Sequence, residues 1–272
     1  MSLSLGKLKL DGKSHVMGIL NVTPDSFYDG GWHFDNENSQ KRIEEMIAQG
    51  AEIIDIGGES TRPGSKPVTV DEELKRVIPA IEFISEISDI PISIDTQKTE
   101  VAKKAVEAGA CVVNDVGGLR NTEMIQAIAD MQVPVIIMHM QGTPENMQTN
   151  PKYGNTVQDI KDWLEVRIKA AEMAGIKRSN MIVDPGIGFG KNLKHNLEIL
   201  GGLEQFKNIA GGVLLGASRK SFIGLLNSNG SSDRLAGSLA AAMIGATAGV
   251  DLVRVHDVKE TRRAIDSINS IN

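Results

Sequence analysis

Short apolar runs alternate with longer amphipathic stretches along most of the chain. Each run is too short for a buried helix, and most are rich in Val and Ile, as strands buried on both faces usually are. We therefore predict eight strands of a parallel sheet with helices between them. The runs are Val16–Leu20, Ile53–Ile56, Ile92–Ile94, Cys111–Val113, Val135–Met138, Met181–Val183, Val213–Leu215 and Leu252–Val255.

The stretches between the runs carry apolar residues at helical spacing. The clearest predicted helices are Glu72–Ile87, Lys98–Ala108, Val157–Ala174 and Arg234–Ala248. Glycine tolerates the left-handed conformation that ends many helices, and it stands just beyond several predicted helices. These glycines are Gly50, Gly109, Gly175 and Gly249.

The number of units favours a closed architecture. Eight strand–helix units in 272 residues leave 34 residues per unit, close to the minimum for one βα unit. We predict an α/β fold, a (β/α)8 TIM barrel, with an open doubly wound sheet as the alternative. No linker divides the chain, so residues 1–272 are predicted to form one domain. Leu3–Leu10 and the Asp11-Gly12 turn predict a short N-terminal hairpin that would cap the bottom of the barrel.

Composition and net charge exclude several classes of binding site and partner. With 29 Lys and Arg against 35 Asp and Glu, the net charge is −6, which argues against non-specific binding to nucleic acid or an anionic membrane. The single cysteine, Cys111, excludes an intrachain disulfide and a multi-cysteine metal site. The chain start lacks a signal-peptide pattern, and Leu235–Val250 is too short to span a membrane. We expect a cytoplasmic protein.

Polar residues stand at the ends of the predicted strands. A barrel brings these ends together at one mouth, where the active sites of such barrels lie. The pattern therefore predicts a polar pocket with charges of both signs. The residues are Asn21, Asp55, Asp95, Asn114, His139, Asp184, Ser218, Lys220, Arg254 and His256.

The loops that follow these strands allow more than one interpretation. Asn21–Gly31 is either an ordinary capped loop or a mobile loop over the site. The glycine-rich segment before Arg62 is either an anion-binding turn or a flexible turn with a solvated arginine. Asp184–Lys191 lacks the spacing of a dinucleotide or P-loop motif. The histidines lack zinc-site spacing, whereas a hard cation held by Asn21, nearby Asp side chains and a phosphorylated substrate is compatible with the sequence.

Taken together, eight segments closely resemble the dihydropteroate synthase family of pterin-binding enzymes. The resemblance covers nearly the whole chain from about His15. Each segment alone is modestly specific, and all eight in order are highly specific. They are N-V-T-P-D-S-F-x-D-G-G (21–31), G-G-E-S-T-R-P-G (57–64), D-T-x-K (95–98), N-D-V (114–116), M-H-M-Q-G (138–142), D-P-G-x-G-F-G-K (184–191), S-R-K-S (218–221) and R-V-H-D-V (254–258).

The resemblance implies an activity and its partners. Such enzymes, which are the targets of sulfonamides, condense 6-hydroxymethyl-7,8-dihydropterin diphosphate with 4-aminobenzoate, giving 7,8-dihydropteroate and diphosphate. The resemblance also implies Mg²⁺ as cofactor, held in part by Asn21, and a homodimer. Because an aniline nitrogen is a weak nucleophile, we expect the C–O bond to break first and the amine to capture a pterin cation.

The resemblance also implies site residues. For the pterin they are Asp95, Asn114, Met138, Asp184, Gly216, Lys220 and Arg254. For the diphosphate they are Asn21, Thr61, Arg62, Arg254 and His256. For 4-aminobenzoate they are Thr61, Pro63, Phe189 and Ser221. Asp95, Lys220, Asp25 and Arg62 are the implied catalytic residues, with Asp95 stabilising the cation and the Asp25 loop closing over the site.

Two other functions remain open at this level. A pterin-dependent methyltransferase, which passes a methyl group from methyltetrahydrofolate to a corrinoid, would share the pterin-facing residues. It has no use for Arg62, His256 and the S-R-K-S segment. The other alternative is a catalytically silent pterin-binding paralogue. The full set of motifs argues against it, and an assay for diphosphate release distinguishes it.

Overall fold

The computed structural model describes residues 3–23, 36–60, 65, 67–226 and 233–271. Ten strands lie in these ranges. They are β1 (Ser4–Leu5), β2 (Leu8–Lys9), β3 (His15–Asn21), β4 (Ile53–Gly57), β5 (Ile92–Asp95), β6 (Val112–Asp115), β7 (Val135–Met138), β8 (Met181–Asp184), β9 (Gly212–Leu215) and β10 (Leu252–Val255). Strands β3 to β10 pair in parallel and in chain order, and β10 pairs with β3 to close a barrel. The predicted barrel and its eight strands are confirmed.

Helices follow the barrel strands. Those of the described ranges are α1 (Asn36–Ala48), α2 (Val70–Ile87), α3 (Thr99–Glu107), α4 (Thr122–Met131), α5 (Thr156–Met173), α6 (Leu193–Gly201), α7 (Ser221–Leu226), α8 (Leu235–Thr247) and α9 (Val258–Ile271). The four predicted helices are α2, α3, α5 and α8. Helix α2 begins two residues before its predicted start because the Thr69 side chain caps it by accepting from Glu72 N. In the described part of the chain, every helix is too short or too polar to cross a membrane.

Alternation along the barrel strands separates two apolar cores. The side chains on the outer face, such as Ile54 and Ile56 of β4, pack with the helices in the main core. The inward side chains nearest the N-terminal ends of the strands form a second, smaller core inside the barrel. Its strand members are Met17, Ile53, Val112, Ile136, Ile182, Leu214 and Leu252.

The N-terminal hairpin closes the bottom of this inner core. Strands β1 and β2 are antiparallel, and Leu3, Leu5 and Leu10 join the inner core. The predicted hairpin is confirmed, but the prediction that it turns at Asp11-Gly12 was wrong. The chain reverses at Gly6, where φ is +56°. A turn at this point lets leucines from both arms reach the barrel floor, which a reversal after Leu10 would prevent.

Replacing Leu5 by Ala should therefore destabilise the barrel. Leu5 is fully buried, so its loss leaves a cavity under the inner core and lowers the free energy of unfolding by about 2–5 kcal/mol. The Lys7→Ala variant is the control, since Lys7 forms only an exposed ion pair with Asp89 and should cost less than about 1 kcal/mol. Urea denaturation of both variants measures the difference. Equal midpoints would show that the hairpin does not support the barrel.

Candidate active site

The inward positions change from apolar to polar toward the C-terminal ends of the strands. Two residues beyond the apolar layer, the same face carries Asp55 after Ile53 and Arg254 after Leu252. Side chains two positions apart point to the same side of a strand, so these polar groups stand directly above the inner core. The complete polar layer contains Asp55, Asp95, Asn114, Asp184 and Arg254, with Met138 and Gly216 at the corresponding positions of β7 and β9.

Arg254 connects three strands at the centre of this layer. Its Nε lies 2.5 Å from Asp55 Oδ2, and its Nη2 lies 2.6 Å from Asp95 Oδ2. Asn114 Nδ2 also donates to Asp55 Oδ2, at 3.1 Å. The side chain of Arg254 is 19% exposed whereas that of Asp55 is fully buried, so the guanidinium spans the depth of the mouth.

Asp55 is a member of this group to which the resemblance assigned no role. The strand-end pattern includes Asp55, but the residue lies within β4 and not at its end. The sequence feature that could have identified Asp55 is its position as a lone carboxylate in the buried strand sequence Ile-Ile-Asp-Ile-Gly, because a charge at such a position requires a partner. The identity of that partner, Arg254, is given by the barrel closure alone.

The charges of this group are set by burial and by each other. Burial opposes the charge of Arg254, but Asp55 and Asp95 raise its pKa above the ordinary value, so it stays protonated. Burial raises the pKa of Asp95 to about 7, against the lowering effect of Arg254 and with a further increase from Asp55. Near neutral pH, the ionisation of Asp95 is therefore sensitive to whatever binds beside it.

Asp184 and Lys220 lie across the mouth from this ion pair. Asp184 is buried, and its Oδ1 accepts from Gly186 N at 2.7 Å. A Cβ at Gly216 would lie 3.8 Å from Asp184 Oδ2 and 3.9 Å from Arg254 Cβ, so glycine leaves space between these two side chains. Burial raises the pKa of Asp184, which Lys220 opposes. Burial also disfavours the charged form of Lys220 and lowers its pKa to about 8, although Asp184 acts to raise it.

An apolar wall adjoins the polar layer. Met138 packs with Met140 and Met147 in a small buried cluster, and half-buried Phe189 lies against it. Lys220 Nζ stands 4.5 Å from the centre of the Phe189 ring and donates to Ile187 O. Together the polar layer and this wall offer hydrogen-bonding groups beside a flat apolar surface.

The predicted diphosphate residues that the structure describes lie at the same end of the barrel. Asn21 ends β3, and a Cβ built at Gly57 would lie 3.7 Å from both Asn21 Oδ1 and Asp95 Oδ2. His256 follows β10, and its backbone N donates to Ser218 Oγ at 3.1 Å.

Of the other predicted site residues, Ser221 is exposed at the first position of α7. Asp25, Thr61, Arg62 and Pro63 lie outside the described residues.

His139 is a correction to the strand-end pattern. The expectation that its side chain lines the mouth was wrong, because alternation after Met138 sends it to the outer side of the barrel. Its buried ring packs edge-on against Trp163 of α5, with 5.0 Å between ring centres, and lies 6.0 Å from the ring of Tyr153. The His139 imidazole therefore belongs to the packing behind the mouth.

Replacing Asp55 by Asn should strongly destabilise the protein. The change keeps the shape of the side chain but removes a carboxylate that pairs directly with Arg254, and loss of one partner of a buried pair costs about 3–5 kcal/mol. Asp89→Asn is the matched control, because the Asp89 side chain is 81% exposed. Urea denaturation at pH 7 measures both. A loss as small as that of the control would contradict a structural role for the Asp55–Arg254 pair.

Comparisons with known proteins agree with this geometry. Residues 17–256 match the family model described as pterin binding enzyme. Dihydropteroate synthase of Escherichia coli K12 is 48% identical over 251 residues, which cover 92% of this chain and 89% of that protein. Yersinia pestis dihydropteroate synthase, solved with a sulfonamide drug complex, superposes with a TM-score of 0.93 at 42% identity, covering 100% of this chain and 99% of that one.

A second solved structure holds a product. Xanthomonas albilineans dihydropteroate synthase in complex with 7,8-dihydropteroate superposes with a TM-score of 0.89 at 41% identity, covering 100% of this chain and 98% of that one. Similarity of this extent in sequence and in structure is the evidence for membership. The chain belongs to the dihydropteroate synthase family of pterin-binding enzymes.

Proposed function

We propose that this chain condenses 6-hydroxymethyl-7,8-dihydropterin diphosphate with 4-aminobenzoate to give 7,8-dihydropteroate and diphosphate. One observation carries the proposal: a buried carboxylate, Asp184, and the paired Arg254 lie on either side of Gly216, with Lys220 acting on the charge of Asp184 and an apolar wall beside them. The relatives reported above are dihydropteroate synthases, so the pterin-dependent methyltransferase is not favoured.

The pterin ring is proposed to lie over the polar layer. Its 2-amino group and N3–H form a pair of donors that one carboxylate accepts side by side, and Asp184 supplies that carboxylate. Asn114 and Met138 line the floor next to it. Lys220 donates to the pterin carbonyl oxygen, and Arg254 lies along the ring face, where a planar guanidinium stacks well.

Diphosphate binding is proposed to change the pairing of Arg254. Asn21 and His256, together with Thr61 and Arg62, bind the diphosphate oxygens. An oxygen that binds Arg254 Nη2 competes with Asp95, whose Oδ2 lies 2.6 Å from that nitrogen. Substrate binding thereby releases the Asp95 carboxylate toward the reacting carbon at the time when positive charge develops there.

Mg²⁺ is proposed to bind between the protein and the substrate diphosphate. The described residues contain no group of three or more His, Cys, Asp or Glu that could hold a metal ion. Asn21 offers one neutral oxygen, which is the kind of ligand that Mg²⁺ combines with substrate phosphates. When bound there, the ion would screen the charge of the diphosphate.

The reaction proposed is a displacement at the carbon that bears the diphosphate. The C–O bond breaks first, and its electron pair leaves with the diphosphate. Asp95 stabilises the resulting pterin cation electrostatically. The amine lone pair of 4-aminobenzoate then forms the C–N bond, and the nitrogen loses a proton to solvent or diphosphate.

The second substrate is proposed to bind along the apolar wall. Phe189 packs on the aminobenzoate ring, and Ser221 receives its carboxylate at the start of α7. Thr61 and Pro63 complete this pocket, and Asp25 belongs to the loop that closes over it and excludes water.

We also propose a cytoplasmic homodimer. Five large apolar side chains are exposed on α6, α7 and α8, which is typical of a protein–protein contact surface. They are Leu197, Leu225, Leu226, Met243 and Ile244. A single cysteine is compatible with a reducing compartment.

The direct test is incubation with the pterin diphosphate, 4-aminobenzoate and Mg²⁺. Mass spectrometry should detect 7,8-dihydropteroate, and a phosphate-coupled assay should detect equimolar diphosphate, because one diphosphate leaves for each C–N bond that forms. Reactions lacking either 4-aminobenzoate or the enzyme are the controls. Tight pterin binding without diphosphate release would favour the silent paralogue instead.

The Asp95→Asn variant should separate binding from chemistry. Without the carboxylate, kcat should fall about 100-fold, as when one electrostatic stabiliser of a transition state is removed, while pterin affinity changes little. In the native enzyme kcat/KM should decline below pH 7, as Asp95 gains a proton, and above pH 8, as Lys220 loses one. The variant should lack the acidic decline. A drop in pterin affinity with normal turnover would contradict the assigned role.

A further inference from the structure

One buried lysine takes no part in the proposed reaction. Lys191 is 2% exposed, and its Nζ bonds His139 Nδ1 at 2.9 Å, Phe189 O at 2.8 Å and His139 O at 3.4 Å. All three partners are neutral, and the ion pairs found between described residues do not include Lys191. Burial lowers the pKa of Lys191 well below its ordinary value. Burying a lysine without an ion-pair partner costs free energy, so a buried lysine of this kind is expected to have a role that its contacts indicate.

The segment that precedes Lys191 is held in shape by side chains. Residues 185–190 form neither helix nor strand, and Gly186, Gly188 and Gly190 all have positive φ. Four consecutive carbonyls of this segment each accept a side-chain hydrogen bond. The acceptor and donor pairs are Ile187 O with Lys220, Gly188 O with Gln148, Phe189 O with Lys191 and Gly190 O with Tyr153.

Lys191 bonds both sides of a close backbone contact. A Cβ at Gly186 would lie 1.9 Å from His139 O, and one at Gly190 would lie 2.6 Å from Gln141 O. The glycine segment thus lies directly against the chain that leaves β7. Burial lowers the pKa of His139 to about 2, so its ring is neutral and Nδ1 can accept the Lys191 N–H. Hydrogen bonds from the Lys191 side chain therefore tie the backbone at Phe189 to the backbone and ring of His139.

This tie fixes the apolar wall but not the polar layer. Phe189, whose ring lies 4.5 Å from Lys220 Nζ, is carried by the glycine segment. Asp95, Asn114 and Arg254, in contrast, stand on barrel strands whose ladders hold them independently. Asp184 also stands on a barrel strand, and the segment contacts the pterin site through Gly186 N, which donates to Asp184, and through Ile187 O, which accepts from Lys220. Loss of the tie should therefore displace Phe189 more than the pterin residues that stand on strands.

We propose that Lys191 is a positioning residue for the second substrate, holding the Phe189 wall at the place where the aminobenzoate ring packs. The inference rests on the proposed function, since it concerns the pocket for 4-aminobenzoate. It predicts that the loss of Lys191 changes the KM for 4-aminobenzoate more than the KM for the pterin diphosphate.

The decisive experiment compares Lys191→Met with Lys194→Met. Both remove one lysine from the same short stretch, but Lys194 is 80% exposed and, among the described residues, forms an ion pair with Glu198 of its own helix. In Lys191→Met the KM for 4-aminobenzoate should rise about tenfold, the loss expected for one buried hydrogen bond. The KM for the pterin diphosphate should stay within about twofold of the native value, and Lys194→Met should match the native enzyme in both constants.

Two further measurements keep the test decisive. Tyr153→Phe removes only the bond to Gly190 O and should raise the same KM by about threefold, even if Lys191→Met does not fold. Hydrogen exchange of residues 186–190 should be faster in Lys191→Met than in Lys194→Met, and this readout needs no turnover. Unchanged constants, or equal increases for both substrates, would overturn the positioning role. An inactive native enzyme would contradict the proposed function, while hydrogen exchange would still report on the tie.

Discussion

A charged guanidinium inside a closed barrel is the constraint on which the site depends. Arg254 projects from β10 into the polar layer, where it is largely buried, and keeps its charge because Asp55 and Asp95 lie within hydrogen-bonding distance. These partners come from β4 and β5, which reach Arg254 only because the sheet closes through β3. The charge state of the mouth therefore depends on closure of the barrel.

The inner core explains why such a charged layer is tolerated. Below the polar residues, apolar side chains from the barrel strands pack with the leucines of the hairpin inside the barrel. Stability comes from this lower layer and from the helices outside, whereas the upper layer carries the chemistry. Alternation within each strand lets one short sequence, such as Ile53–Gly57, contribute to the main core, the inner core and the mouth.

The two substrates are proposed to meet surfaces of different origin. The pterin lies on side chains that the barrel ladders hold in place, such as Asp184 of β8 and Asn114 of β6. The aminobenzoate lies on Phe189, which stands on a glycine segment without regular structure. The pterin is recognised through several hydrogen bonds, which require donors and acceptors at fixed positions on the strands. The aminobenzoate ring is recognised through its flat face, which requires only that the Phe189 surface be held in place. Lys191 would make the second surface nearly as fixed as the first.

The sequence by itself determined the strands, the helices, the barrel and the family, because alternating apolar runs and ordered motifs are local properties of the chain. It also predicted that Asp184, Lys220 and Arg254 share one mouth. The turn of the hairpin at Gly6, the inward position of Asp55 and the outward position of His139 were decided by tertiary structure. Each depends on which face of a strand meets which neighbour, and that is fixed only when distant segments pack. The pairing of Lys191 with His139, 52 positions apart, has the same cause.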